Sequence, residues 1–189
     1  EFSVPWHVID SDKENPALPV WYTTSNGVNQ QQSMPTRVAV SIVVIEGLQE
    51  PVFPHANRNG VLDCCARPRL WEGVTVRIKA DPLIEQGDTL TLVWQGSTGL
   101  VGAEPIEGTY AEIEKELTTL RPGEDIDIVV EDYDQLIAPM VDDASALVYY
   151  WLKKSTGGRG KSKREFVIIN RTQPSGEVCS PTNDLCEEN

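Results

Sequence analysis

The chain has 189 residues, 40% of them hydrophobic and 24% charged, with 29 acidic against 16 basic side chains and a net charge of −13. That is a globular composition, enough for one domain or one domain and a smaller partner, and not that of a disordered chain. No apolar run approaches the roughly 18 residues that span a bilayer as a helix. The acidic balance argues against general nucleic-acid binding, which needs a basic footprint.

Residues 1–35 form a polar, proline-rich arm, with Pro5, Pro16, Pro19 and Pro35 and the run Asn29-Gln30-Gln31-Gln32. Trp6, Trp21 and Tyr22 stand out in it. Tryptophan outside periodic structure anchors contacts or stacks on sugars, so Trp6 and Trp21 are candidate ligand contacts. The arm is expected to wrap the body or a neighbouring subunit. Residues 36–71 read as a strand, 38–45 (VAVSIVVI), and a connecting region packed on the body, punctuated by Pro51, Pro54, Asn59-Gly60 and Pro68.

From residue 72 the rhythm becomes regular. Val74, Val76 and Ile78 share one face of a first run, and Leu90, Leu92 and Trp94 share one face of a second. The turn residues Gly87-Asp88 separate them. A period of two gives each strand one buried and one wet face. A loop is expected over 97–108. Residues 109–120 carry both signals: Ile113, Leu117 and Leu120 have helical spacing, while Tyr110 and a position between strands favour an extended segment. Ile126, Ile128 and Val130 alternate again, and 132–141 reads as a turn broken by Pro139. Leu147, Tyr149 and Trp151 make one face of the next strand, and 164–170 makes the last. Trp71, Trp94 and Trp151 are assigned to the core. The predicted fold is all-β: an antiparallel β-sandwich over 72–170 with an irregular N-terminal extension and an aperiodic tail, 171–189.

The cysteines fall in two clusters, Cys64-Cys65 and Cys179/Cys186. Four cysteines allow three connectivities. Bonding adjacent residues strains the backbone, so two bridges between the clusters are expected, tethering the tail in an extracellular or cell-surface setting. The spacing lacks the paired C-x2–4-C pattern of a zinc site.

Residues 153–164 hold Lys153, Lys154, Arg159, Lys161, Lys163 and Arg164 and no acidic residue, leaving 10 of the 16 basic residues elsewhere against all 29 acidic ones. This hairpin is either a solvated glycine turn or an anion contact, with binding that weakens steeply in salt. Its STGGRGKS stretch nearly spells a phosphate-binding loop, but the flanks read as two strands instead of a strand and a helix. Asp132, Asp134, Asp142 and Asp143 would be the ligands of a calcium ion, although no EF-hand spacing is present and a solvated face is the simpler reading. No G-x-S-x-G elbow occurs, and His7 and His55 are the only histidines. No catalytic residue and no cofactor are therefore expected.

The pattern GVTVRI, GDTLTLVWQGSTGL, IDIVV, YDQLIAPM and a Val-Tyr-Tyr strand, preceded by NGVLDCCARPRLWEG, resembles the Ig-like repeats of large proteins in Pseudomonas and related bacteria. The resemblance covers roughly residues 59–170 and implies that the sandwich over 72–170 is Ig-like and that the chain is a surface or secreted binding protein, with no catalytic residues to transfer. The expected function is thus a non-enzymatic secreted or surface binding or adhesion module that recognises a glycan or protein through its loops. Self-association through the arm is a further expectation. The alternatives are a structural subunit of a phage or secretion particle and a component of a secreted toxin.

Overall fold

A computed structural model describes residues 18–38, 44–102 and 104–186, and it divides the chain into two compact units, Glu1–Val44 and Ile45–Asn189. Trp6, His7 and most of the 38–45 strand lie outside the described residues.

In the first unit, β1 (Leu18–Val20) pairs antiparallel with β4 (Thr36–Val38), and β2 (Thr23–Ser25) pairs with β3 (Gln30–Gln32). Where the composition predicts an irregular arm, residues 18–38 are thus a two-stranded ribbon. Its turn explains why. Asn26 accepts the backbone N–H groups of Val28 and Asn29 through its side chain, and Gly27 takes the left-handed conformation that closes the hairpin.

The second unit is all-β, as the alternation predicts. One sheet pairs β7 (Val74–Ile78) with β10 (Ile126–Val130). The other has seven strands. At its centre β11 (Ala144–Lys153) pairs on one side with β8 (Thr89–Thr98), which in turn pairs with β9 (Glu104–Glu116). On its other side β11 pairs with β12 (Arg159–Lys161) and β13 (Glu165–Asn170), which act as one return strand interrupted at Ser162. Ser162 bridges the gap by accepting from the Tyr150 N–H and donating its own N–H to the Tyr150 carbonyl. Outside these lie β5 (Val44–Ile45) against β12 and β6 (Val61–Asp63), parallel to β13.

The two strands that open the regular region therefore belong to opposite sheets, β7 to the small and β8 to the large. Their alternating apolar sets meet in one core: Val74, Val76 and Ile78 with Ile126, Ile128 and Val130 from one side, and Leu90, Leu92 and Trp94 with Val148, Tyr150 and Leu152 from the other. Residues 109–116 are extended, because Ala111 and Ile113 sit opposite Trp94 and Leu92 and alternation buries them. The loop expected over 97–108 shrinks to a short turn, since β8 runs to Thr98 and β9 starts at Glu104.

Three residues of the Gly87 to Gly96 stretch explain why it reads so regularly. Asp88 is fully buried, accepts the N–H groups of Glu85 and Ser155, and pairs with Lys154 at 2.8 Å. Trp94, also fully buried, donates its indole N–H to the Leu136 carbonyl of the π-helical turn Tyr133–Ile137, as a buried indole must find a partner. At Gly96 a Cβ would stand 2.8 Å from Thr109 Oγ1 and 3.1 Å from Met140 Sδ, so no larger residue fits without displacement.

Two bridges join the clusters, as expected, and the structure pairs Cys64 with Cys179 and Cys65 with Cys186. They hold the aperiodic tail together with two buried arginines. Arg69 donates to the carbonyls of Cys64 and Cys186 and pairs with Asp184 at 2.6 Å, and Arg171 donates to the Cys179 carbonyl at 2.8 Å.

Candidate ligand-binding face

Strand β11 reads ASALVYYWLK and is apolar on both faces. Its buried set is Ala144, Ala146, Val148, Tyr150 and Leu152, so the assignment of Leu147, Tyr149 and Trp151 to the core face is corrected. The cross-strand register decides the matter: Val148, Tyr150 and Leu152 face Trp94, Leu92 and Leu90 of β8, and their neighbours must point outward. Trp94 is in the core, Trp71 is half-buried beneath the Arg69 guanidinium, and Trp151 is a half-buried member of the outer face.

Three rows of side chains cross that outer face, and each runs from a carboxylate on β9 to a cation beyond β11. The first contains Glu116, Thr89, Lys153 and Arg159. The second contains Glu114, Thr91, Trp151 and Lys161. The third contains Glu112, Val93 and Tyr149, and the Arg164 guanidinium lies 5.9 Å from the Tyr149 ring centre. The sheet thus presents an acidic margin, an apolar and aromatic middle, and a basic margin.

The aromatic rings hold the basic margin in place. Arg159 stacks 4.2 Å from the Trp151 ring centre, and Lys161 sits 3.9 Å from Tyr149 and 5.2 Å from Trp151. Tyr149 and Trp151 meet edge to face at 6.5 Å. The quadrupole of each ring attracts the cations without neutralising them. Among the described residues, no carboxylate lies within ion-pair distance of Arg159, Lys161 or Arg164. Partial burial, and secondarily the charge of Arg164, pull the Lys161 ammonium below its ordinary range.

The six cations of the hairpin therefore divide by environment. Lys154 is turned in, pairing with Glu85 at 2.7 Å and Asp88 at 2.8 Å and donating to the Leu83 carbonyl. Burial opposes its charge, but the Asp88 and Glu85 partners outweigh this and raise its pKa. Lys163 reaches Glu50 at 3.8 Å from an exposed position. Lys153 is exposed beside Arg159 at the end of the face. Only Arg159, Lys161 and Arg164 form the stacked group. The P-loop-like stretch is the β11–β12 turn, and its Lys161 lies on a strand.

On the acidic margin, Tyr110 donates to Glu112, and that bond, with some burial, pushes the phenol up to about 12. Tyr110 and Phe166 are exposed apolar members of the same face.

Other predicted residues take up local roles. Asp132 caps the turn Tyr133–Ile137 by accepting the Gln135 N–H, and Asp132, Asp134, Asp142 and Asp143 are all exposed. Among the described residues, no group of three or more His, Cys, Asp or Glu side chains converges as a metal site. His55 is exposed, and Trp21, in the first unit, is half exposed. A cleft of about 690 Å³ opens at one end of the sandwich between residues 80–86 and 120–126, lined by Asp81, Glu85, Arg121 and Glu124 among others. It is an open, mixed-charge groove between loops, whereas the cation row is built on paired strands.

Sequence reasoning found the hairpin cations but missed Tyr149 and Trp151 as their supports, and missed Glu112, Glu114 and Glu116 as the opposing margin. The signal was there: alternating Glu residues on an extended 109–116 segment must share one face. No family model matches the chain, and neither curated proteins nor solved structures show a significant match to it.

Proposed function

We propose that the protein is a non-enzymatic binding module, secreted or displayed at a cell surface, whose contact surface is the outer face of the large sheet. The observation that carries this reading is the stacked cation row. Arg159, Lys161 and Arg164 are held by Trp151 and Tyr149 and, among the described residues, have no carboxylate partner, on a protein of net charge −13. Unpaired like charges repel one another, so their close placement is explained by a ligand that neutralises them. The two disulfides fit an oxidising compartment. No helix among the described residues is long and apolar enough to cross a membrane. The likeness to bacterial Ig-like repeats points the same way.

The test is a broad screen of glycans and candidate protein ligands against the intact chain and the triple variant R159S/K161S/R164S, at low and moderate salt. Any ligand of the wild type should be lost or much weakened in the variant. Equal binding by both proteins would remove this face from the function.

One observation favours a second reading, a structural subunit whose arm lies on a neighbour. The ribbon of residues 18–38 exposes Val20, Trp21, Tyr22, Val28 and Met34. An isolated two-stranded hairpin is only marginally stable in water, so such a ribbon gains by packing on a partner. Light scattering decides between them: a defined oligomer that dissociates when residues 1–35 are removed would support the structural reading.

A further inference from the structure

Resting on the proposed binding role, we infer that the ligand is a linear acidic polysaccharide lying along β12 and the start of β13, and that the acidic margin on β9 restricts the site to narrow polyanions. The cations sit on one return strand. Arg159 and Lys161 are two residues apart on β12, and so about 7 Å apart along the strand. Arg164 continues the row past the Ser162 interruption, above Tyr149. A row of this kind matches an extended chain carrying a charge at every sugar or every second sugar, and it offers no pocket for a compact anion.

Width is set by the opposite margin. β9 lies three strand spacings from β12, about 14 Å. Glu112, Glu114 and Glu116 occupy that distance in register with Tyr149, Trp151 and Lys153. A single polysaccharide chain over β12 stays clear of them. A nucleic-acid duplex is wider and would bring its second strand over three carboxylates. Single-stranded nucleic acid fits less well for a different reason. It draws affinity from bases stacked on free aromatic faces, and the Trp151 and Tyr149 rings already carry Arg159, Lys161 and Arg164.

The probes are oligogalacturonates of increasing length, dextran sulfate, uncharged dextran, single-stranded poly-dT and duplex DNA, titrated against the intact chain. Two variants accompany it, R159S/K161S/R164S and E112Q/E114Q/E116Q, all at exposed or half-exposed positions, with circular dichroism to confirm folding. The wild type should bind oligogalacturonate with affinity that rises with length and levels off once the row is covered. By the counterion release that governs linear polyanions, three contacts on the single-strand slope imply a weakening of about twentyfold for a fourfold rise in salt. The serine variant should lose this binding, and the glutamine variant should gain affinity for duplex DNA at least about fivefold, by removal of three nearby like charges.

Duplex DNA or poly-dT binding the wild type as tightly as oligogalacturonate would overturn the inference, as would a glutamine variant with unchanged duplex affinity. If the wild type ignores every polyanion but binds an uncharged glycan or a protein through the same face, the inference falls and the binding role stands. If oligogalacturonate binds the serine variant as well as the wild type, both fall.

Discussion

On the outward face of the β7–β10 sheet, Arg77 makes a two-pronged pair with Asp127 across the strands, both contacts at 2.7 Å, and Lys79 pairs with Asp125 at 2.9 Å. On the outward face of the large sheet, Arg159, Lys161 and Arg164 meet aromatic rings instead, and a rank of carboxylates stands across the sheet on β9. In the first case each cation stands directly opposite or beside its anion, so the charge is consumed within the fold. In the second, register separates the signs by the width of the sheet, and the surface keeps a dipolar charge for use outside the molecule. Lys154 marks the inner extreme: it comes from the same hairpin as the stacked cations, yet it is spent entirely on Asp88 and Glu85.

The largest expected effect is at Asp88. The substitution Asp88→Asn leaves Lys154 short of its buried partner and should cost about 2–3 kcal/mol, seen as a fall in melting temperature of roughly 4–12 °C. The pH dependence follows the same clamp. Burial tends to raise the Asp88 carboxyl, but Lys154 and the N–H groups of Ser155 and Glu85 prevail and hold it below the ordinary range. Bonds to Arg77 and Lys79 do the same for Asp127 and Asp125. Stability from these groups is therefore complete above the unfolded carboxylate pKa of about 4 and is lost as the pH falls through their lower folded values. Urea midpoints should stay level from neutral pH to about pH 5 and then fall, less steeply in the Asp88→Asn variant. A level profile in acid would show that the clamp contributes nothing.

Next in size is Trp151→Ala. It removes the ring beneath Arg159 and Lys161, and loss of two cation–π contacts of about 0.5–1 kcal/mol each should loosen the row. Ligand affinity should fall severalfold while the charge is unchanged, a result that separates positioning from charge. The triple variant R159S/K161S/R164S should lower the melting temperature by a few degrees at most, because lost stacking is partly offset by relief of repulsion between Lys161 and Arg164. A large loss would make the row structural and erase the contrast with the β7–β10 face. The smallest effect belongs to Arg77→Ala. Its pair with Asp127 is half-buried and still reached by water, so the melting temperature should fall by no more than about 2–4 °C and ligand binding not at all.

Much of the fold was legible along the chain because alternation is a local property. Val74, Val76 and Ile78, or Ile126, Ile128 and Val130, could be placed on one face without knowing any partner. The two cysteine clusters likewise pointed to a tethered tail, since bonding the adjacent Cys64 and Cys65 to each other is disfavoured by geometry alone. The candidate site was half legible. The basic hairpin is a composition signal, but its six cations look alike in sequence, and nothing local separates Lys154, which enters the Asp88 clamp, from Lys161, which rests on Tyr149.

Along the chain alone, alternating strands can be read between residues 74 and 170, Gly87-Asp88 marks a turn, and one basic segment stands on an acidic body. Only the tertiary structure decided that β7 and β8 lie in opposite sheets, that Tyr150 and not Tyr149 or Trp151 points inward, and that three glutamates face three cations across one surface. The reason is physical. Periodicity fixes which residues share a face, but a strand apolar on both faces has no inward side until cross-strand pairing supplies one. For β11 that pairing is with β8, where Trp94, Leu92 and Leu90 meet Val148, Tyr150 and Leu152 and leave Trp151 to the outside.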